Sequence, residues 1–99
     1  MPNPVADFPW NKINIPVEGI AHTGPCVLHS IIFNGMTTVG TCAIYDGVDN
    51  GGVLIGTLNL TAVVQVSCQP FTAIYDCEMV TGIFLDFTAL VGDFTVTFK

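Results

Sequence analysis

Alternation constrains this chain more than any other feature. From Ile13 onward apolar and polar residues repeatedly trade places at every second position, as in Phe94-Thr95-Val96-Thr97-Phe98. Side chains of an extended strand point to opposite faces in turn, so such a run lays one face on a core and turns the other outward. A helix would need recurrence every three to four residues. Val, Ile and Thr make up about a third of the chain, the branched residues that strands favour. Helix is therefore nearly excluded.

Turn signals cut the alternating sequence into short pieces. Ile13 to Val17 predicts an edge strand, because Pro16 cannot donate to a ladder. A turn at His22-Thr23-Gly24-Pro25 leads into Cys26 to Asn34, a near-continuous apolar run that predicts burial on both sides, with Leu28 and Ile32 sharing a face. Asn34-Gly35 predicts the next turn, and Thr41 to Asp46 the next strand, with Cys42 and Ile44 on one face and Ala43 and Tyr45 on the other. Val53 to Leu60, Ala62 to Cys68, Ile74 to Met79, Ile83 to Phe87 and Phe94 to Phe98 complete the series. Strands of this length at about ten-residue spacing predict an all-β fold: an antiparallel β-sandwich, jelly-roll-like, of about eight strands. With 99 residues there is room for one core, assigned to residues 13–99.

Before it, residues 1–12 predict an extended N-terminal arm. Pro2, Pro4 and Pro9 restrict the backbone to extended conformations, and Phe8 and Trp10 are bulky aromatics in a small, polar tail. Phe8, Pro9 and Trp10 are the candidate contacts of this arm with a partner.

Composition narrows the partners. The chain is 51% hydrophobic and only 10% charged, against about 25% charged in an ordinary soluble domain. Such a surface predicts cover by copies of the chain or by another protein. Two lysines, Lys12 and Lys99, stand against eight carboxylates for a formal net charge of −6, which argues against nucleic acid, anionic membranes and phosphorylated ligands. Every apolar run is too short to span a bilayer as a helix, and the first residues lack the basic and apolar regions of a signal peptide, so a cytosolic site of synthesis is expected.

Sites for chemistry are scarce. Cys26, Cys42, Cys68 and Cys77 contain no C-x-x-C pair and fit buried, reduced thiols. His22, Cys26 and His29 resemble a ligand cluster, but Cys26 and His29 lie three apart on a predicted strand and so face opposite sides; no metal and no cofactor is expected. The loop Asp46-Gly47-Val48-Asp49-Asn50-Gly51-Gly52 breaks the calcium-loop order and suits a tight reversal instead. Ala-Ile-Tyr-Asp occurs at Ala43 to Asp46 and again at Ala73 to Asp76, making Asp46 and Asp76 the best acid-base candidates. With no cation or histidine adjacent in sequence, strand ends are the simpler explanation, and an enzyme would require one of these aspartates to lie beside a histidine. Ser30 and Ser67 lie mid-strand outside any nucleophile elbow, so no catalytic residue is assigned.

The order Gly24 to Asn34 (GPCVLHSIIFN), Cys42 to Gly47 (CAIYDG), a glycine-rich loop, Leu54 to Leu58 (LIGTL), Thr81 to Leu85 (TGIFL) and Phe94 to Phe98 (FTVTF) resembles a group of small tailed-phage virion proteins. The resemblance spans about residues 13–99 and leaves out the arm. It implies a capsid decoration, or cement, protein: a jelly-roll-like homotrimer on the outside of an icosahedral head, contacting the major capsid protein, and so located on the virion after assembly in the host cytoplasm. Head-fibre and tail-associated proteins share similar sandwiches. A carbohydrate-binding module using Tyr45 and Tyr75 is the alternative from a different class.

Overall fold

The computed structural model describes residues 10–61 and 70–99, all of them in strands, turns or short connections. Eight strands follow in order: β1 (Asn11–Ile15), β2 (Gly19–Thr23), β3 (Cys26–Thr38), β4 (Gly40–Asp46), β5 (Val53–Leu60), β6 (Phe71–Met79), β7 (Gly82–Thr88) and β8 (Val91–Phe98). They form two four-stranded sheets, ordered β1-β8-β3-β6 and β2-β7-β4-β5, with every pairing antiparallel. In each sheet the first and last strands in sequence pair, and the middle strands lie beside them. This is the strand order of an eight-stranded jelly roll, and the expected all-β sandwich is the fold.

The core fills from the inner faces of both sheets. Leu28, Ile31, Phe33, Phe94 and Val96 come from one, and Cys42, Ile44, Ile83 and Leu85 from the other, each fully buried. Phe33 packs on Phe71 and Phe94 at ring-centroid distances of 5.2 and 5.5 Å, and Phe94 meets Phe87 of the facing sheet at 5.3 Å. Burying one such side chain contributes about 1.5–3 kcal/mol, with about 0.5–1.5 kcal/mol more for a well-placed ring pair. The sandwich is tightest between β3–β8 and β4–β7. Towards β5 and β6 the inner-facing Ile55, Leu58, Phe71, Tyr75 and Cys77 are only half-buried.

Three expectations need correction. His22 and Thr23, expected in a turn with Gly24 and Pro25, belong instead to strand β2 (Gly19–Thr23), and the reversal is confined to Gly24-Pro25. Asn34-Gly35 makes no turn: β3 continues to Thr38, because Asn34 donates to Asp93 and Thr95 of β8 and the ladder with β8 runs on to Val91. Leu28 and Ile32 do not share a face. The register slips between Leu28 and Ser30, so Leu28, Ile31 and Phe33 point inward while Ile32 is only half-buried.

Strand β1 starts at Asn11, two residues earlier than expected, and ends at Ile15 before Pro16. It is an edge strand, as the proline requires. Residues 1–9 of the expected arm, with Phe8 and Pro9, and the expected strand Ala62 to Cys68 lie outside the described residues.

Candidate functional site

The slipped register of β3 brings together residues far apart in sequence. Against β6, Leu28 pairs with Cys77 and Ser30 with Ile74, so β6 carries one residue too many. Asp76 absorbs it with a left-handed backbone (φ 46°), a conformation that aspartate tolerates better than most side chains. Against β8, Leu28 pairs with Phe98 and Ser30 with Thr97, so here His29 is the extra residue. His29 and Ser30 both end on polar partners: Ser30 Oγ and Thr97 Oγ1 share a 2.5 Å hydrogen bond, and His29 Nδ1 lies 2.5 Å from Asp76 Oδ1.

Trp10, at the root of the arm, crosses β8 to stack on the His29 ring, with centroids 4.2 Å apart and planes 10° from parallel. One Trp10 face is thereby occupied by its own chain while the residue stays 37% exposed. An ionised Asp76 accepts from Nδ1–H, which fixes the ring and leaves Nε2 as the acceptor nitrogen. This is the aspartate beside a histidine that the sequence alone did not bring together. The pair can orient a proton acceptor. Among the described residues no nucleophile is hydrogen-bonded to it, and with side chains 29% and 59% exposed the contact is worth about 0–1 kcal/mol.

Asp46, the other aspartate, closes the turn between β6 and β7. Its carboxylate accepts from the backbone N–H groups of Val80 (2.9 Å), Thr81 (2.8 Å) and Gly82 (3.3 Å). The first two bonds hold its pKa below the ordinary Asp value. The two like tetrapeptides thus end on different tasks. In the glycine-rich loop, Asp49 accepts from the Gly51 N–H at 2.8 Å, an Asx turn that makes the reversal. The described residues contain no cluster of three or more potential metal ligands.

Tyr75 turns inward against Gly56, where burial raises its pKa, so it is not free to stack on a ligand. Tyr45 faces outward and packs on Phe84 at 6.5 Å. Cys26, Cys42 and Cys77 are free thiols; burial pushes Cys42 up to about 12, and Cys26 and Cys77 upward for the same first reason. Cys68 lies outside the described residues.

Strands β5 and β6 are the outermost strands of their sheets at the same end of the sandwich, as the Tyr75–Gly56 contact between them shows. Val53 on β5 is 66% exposed and Ile74 on β6 is 65% exposed. Neither strand holds a lysine or proline, but β6 has its bulge and the carboxylates of Asp76 and Glu78, so β5 is the less protected of the two edges.

No protein-family model, curated protein or solved structure matches the chain.

Proposed function

We propose that this chain is a structural protein of a virus particle, a capsid decoration protein that sits as a homotrimer on the outside of an icosahedral phage head and binds the major capsid protein. The edge strands β5 and β6 carry the reading. Among the described residues no further strand pairs with β5 or with β6. These edge strands, with exposed Val53 and Ile74, offer sites for strand pairing in a free monomer, β5 more than the bulged and acidic β6, and a closed symmetric assembly removes them from solvent. The resemblance of the blocks from Gly24 to Phe98 to tailed-phage virion proteins supplies the setting, and the low charge agrees with a largely covered surface. No catalysis is assigned. The protein acts by adding many modest contacts over a lattice, where repetition multiplies weak binding.

In this reading the arm reaches a neighbour or the capsid floor, with Phe8, Pro9 and Trp10 as its contacts. Proline has already restricted that segment, which lowers the entropy lost on docking. The test is co-sedimentation with undecorated heads assembled from the capsid protein encoded alongside this chain. Wild-type protein should pellet to saturation, Val53→Lys with Ile74→Lys should pellet poorly, and removal of residues 1–9 should lower occupancy. Wild-type protein that stays in the supernatant would sink the proposal, and undiminished occupancy without residues 1–9 would remove the arm from it.

Trp10 favours a second reading as a carbohydrate-binding module. It is an exposed indole beside His29 and Asp76, the pairing of a flat apolar surface with polar groups that sugars require. Signal on a glycan array that disappears in Trp10→Ala would favour it over the virion role.

A further inference from the structure

The outer rows that cross all four strands of each sheet differ in a way that the fold does not require. An antiparallel sheet with one solvated face ordinarily alternates apolar inward and polar outward. In the β1-β8-β3-β6 sheet the row that crosses all four strands keeps to this, since the register aligns Asn14, Thr95, Ile32 and Thr72, three of the four polar, while the exposed Val27, Ile74 and Val91 lie singly outside that row. On the β2-β7-β4-β5 sheet the register aligns Ile20 with Phe84, Phe84 with Tyr45 and Tyr45 with Leu54. The row crosses all four strands without a charged residue and spans about 14 Å at the usual strand spacing. Ile20 is 46% and Leu54 54% exposed at its two ends, with the aromatic pair between them.

One side of the row is acidic. Asp86 stands two positions beyond Phe84 on β7, which puts it on the same face about 7 Å along the strand. Glu18, just before β2, joins it and accepts the Phe87 N–H at 3.0 Å, occupying a donor beyond the end of the β2 ladder. The Asp86 carboxyl beside it is the first cause pushing Glu18 above its ordinary value. Two carboxyls held side by side favour a cation. This chain offers none there, since Lys12 lies on β1 and Lys99 follows β8, both in the other sheet. A second copy docking through this same face would bring two more carboxyls and no lysine.

We propose that the outer face of the β2-β7-β4-β5 sheet is a docking surface for a different protein, one that lays apolar side chains on the row Ile20–Phe84–Tyr45–Leu54 and brings an arginine or lysine to Glu18 and Asp86. The inference goes beyond the virion role: it names a face and the chemistry that face takes, whatever the partner's origin. The row is smaller than a standard interface of about 800 Å² per partner, so each copy binds weakly and reversibly unless binding is repeated.

Backbone amide NMR of the full chain, titrated with three synthetic peptides of about ten residues, tests this directly. The probes alternate Leu with Arg, Leu with Glu, and Ser with Arg. The Leu-Arg peptide should shift amides around Ile20, Tyr45, Leu54 and Phe84, and the other two should bind at least about tenfold more weakly. Leu54→Glu, at an exposed position, should abolish the shifts while leaving the spectrum dispersed. Glu18→Gln with Asp86→Asn should weaken Leu-Arg binding and remove most of its salt dependence. Equal binding of Leu-Glu, shifts confined to another face, or no binding of Leu-Arg would each overturn the proposal. So would shifts of the row that depend on protein concentration alone, which would make it a contact between copies. Failure to pellet with phage heads, by contrast, would count against the virion role and leave this surface standing.

Discussion

Replacing Asp46 with alanine tests whether one side chain holds the β6–β7 turn. Its carboxylate accepts two short backbone hydrogen bonds, from Val80 and Thr81, and a longer one from Gly82. Hydrogen bonds to a charged group contribute about 1.5–3 kcal/mol each when shielded, but water can reach these donors, which places each near or below the low end. Counting the two short bonds at about 1 kcal/mol apiece, Asp46→Ala should cost about 2 kcal/mol. For a domain of this size that lowers Tm by about 8–16 °C. The pH dependence gives a second readout. Asp46 titrates below its unfolded value of about 3.9, so its contribution is complete above that pH and is lost as pH falls through the lower folded value. Thermal melts followed by circular dichroism, at one fixed protein concentration, should show the full gap between wild type and Asp46→Ala at pH 7 and a narrowing gap below about pH 4. Asp46→Asn keeps an oxygen for Thr81 and Gly82, and should fall between the two. A variant that melts within about 2 °C of wild type at pH 7, or a gap unchanged in acid, would refute the reasoning.

Four further tests separate packing from surface effects. Gly40→Ala would put a Cβ 2.2 Å from the Thr88 carbonyl oxygen and 2.4 Å from the Leu90 nitrogen, both backbone atoms, and should destabilise by about 1–3 kcal/mol or more in a denaturant titration. Gly35→Ala, with nothing within 4 Å, should cost less than about 1 kcal/mol. The buried Cys42 thiol, pushed up to about 12, should resist iodoacetamide at pH 8 in the folded chain and react once denaturant is added; labelling located by mass spectrometry reads this out. His29→Ala should release Trp10, the one tryptophan, so that its emission shifts to the red while the melting temperature moves by less than about 8 °C.

Period and punctuation made the sandwich legible, because strand length and alternation follow directly from which faces must meet a core. Cys42 and Ile44 are buried together, and Ala43 and Tyr45 lie opposite, as alternation requires. Strand β2 was not legible. Gly19-Ile20-Ala21-His22-Thr23 offers a single large apolar residue, and β7 recruits it through pairing that only the assembled sheet supplies. Asn34-Gly35 is a strong hairpin signal, yet Asn34 has two polar partners on β8 and the pairing outweighs the local preference. The meeting of His29 with Asp76 lay further out of reach. It depends on two register slips around one residue, and alternation alone carries no record of a slip. The outer row from Ile20 to Leu54 was hidden for a related reason: its members sit on four strands, and they line up only once strand order and register are both known.

The virion role rests on a chain that does not remain alone in solution, and the solution mass by light scattering across a range of concentrations tests this most directly. A stable species near three times 10.5 kDa, converted to monomer by Val53→Lys with Ile74→Lys, is the result predicted from the edge strands β5 and β6. A monomer of 10.5 kDa that persists at the highest concentration would contradict it, because the exposed edge would then be tolerated without a partner copy.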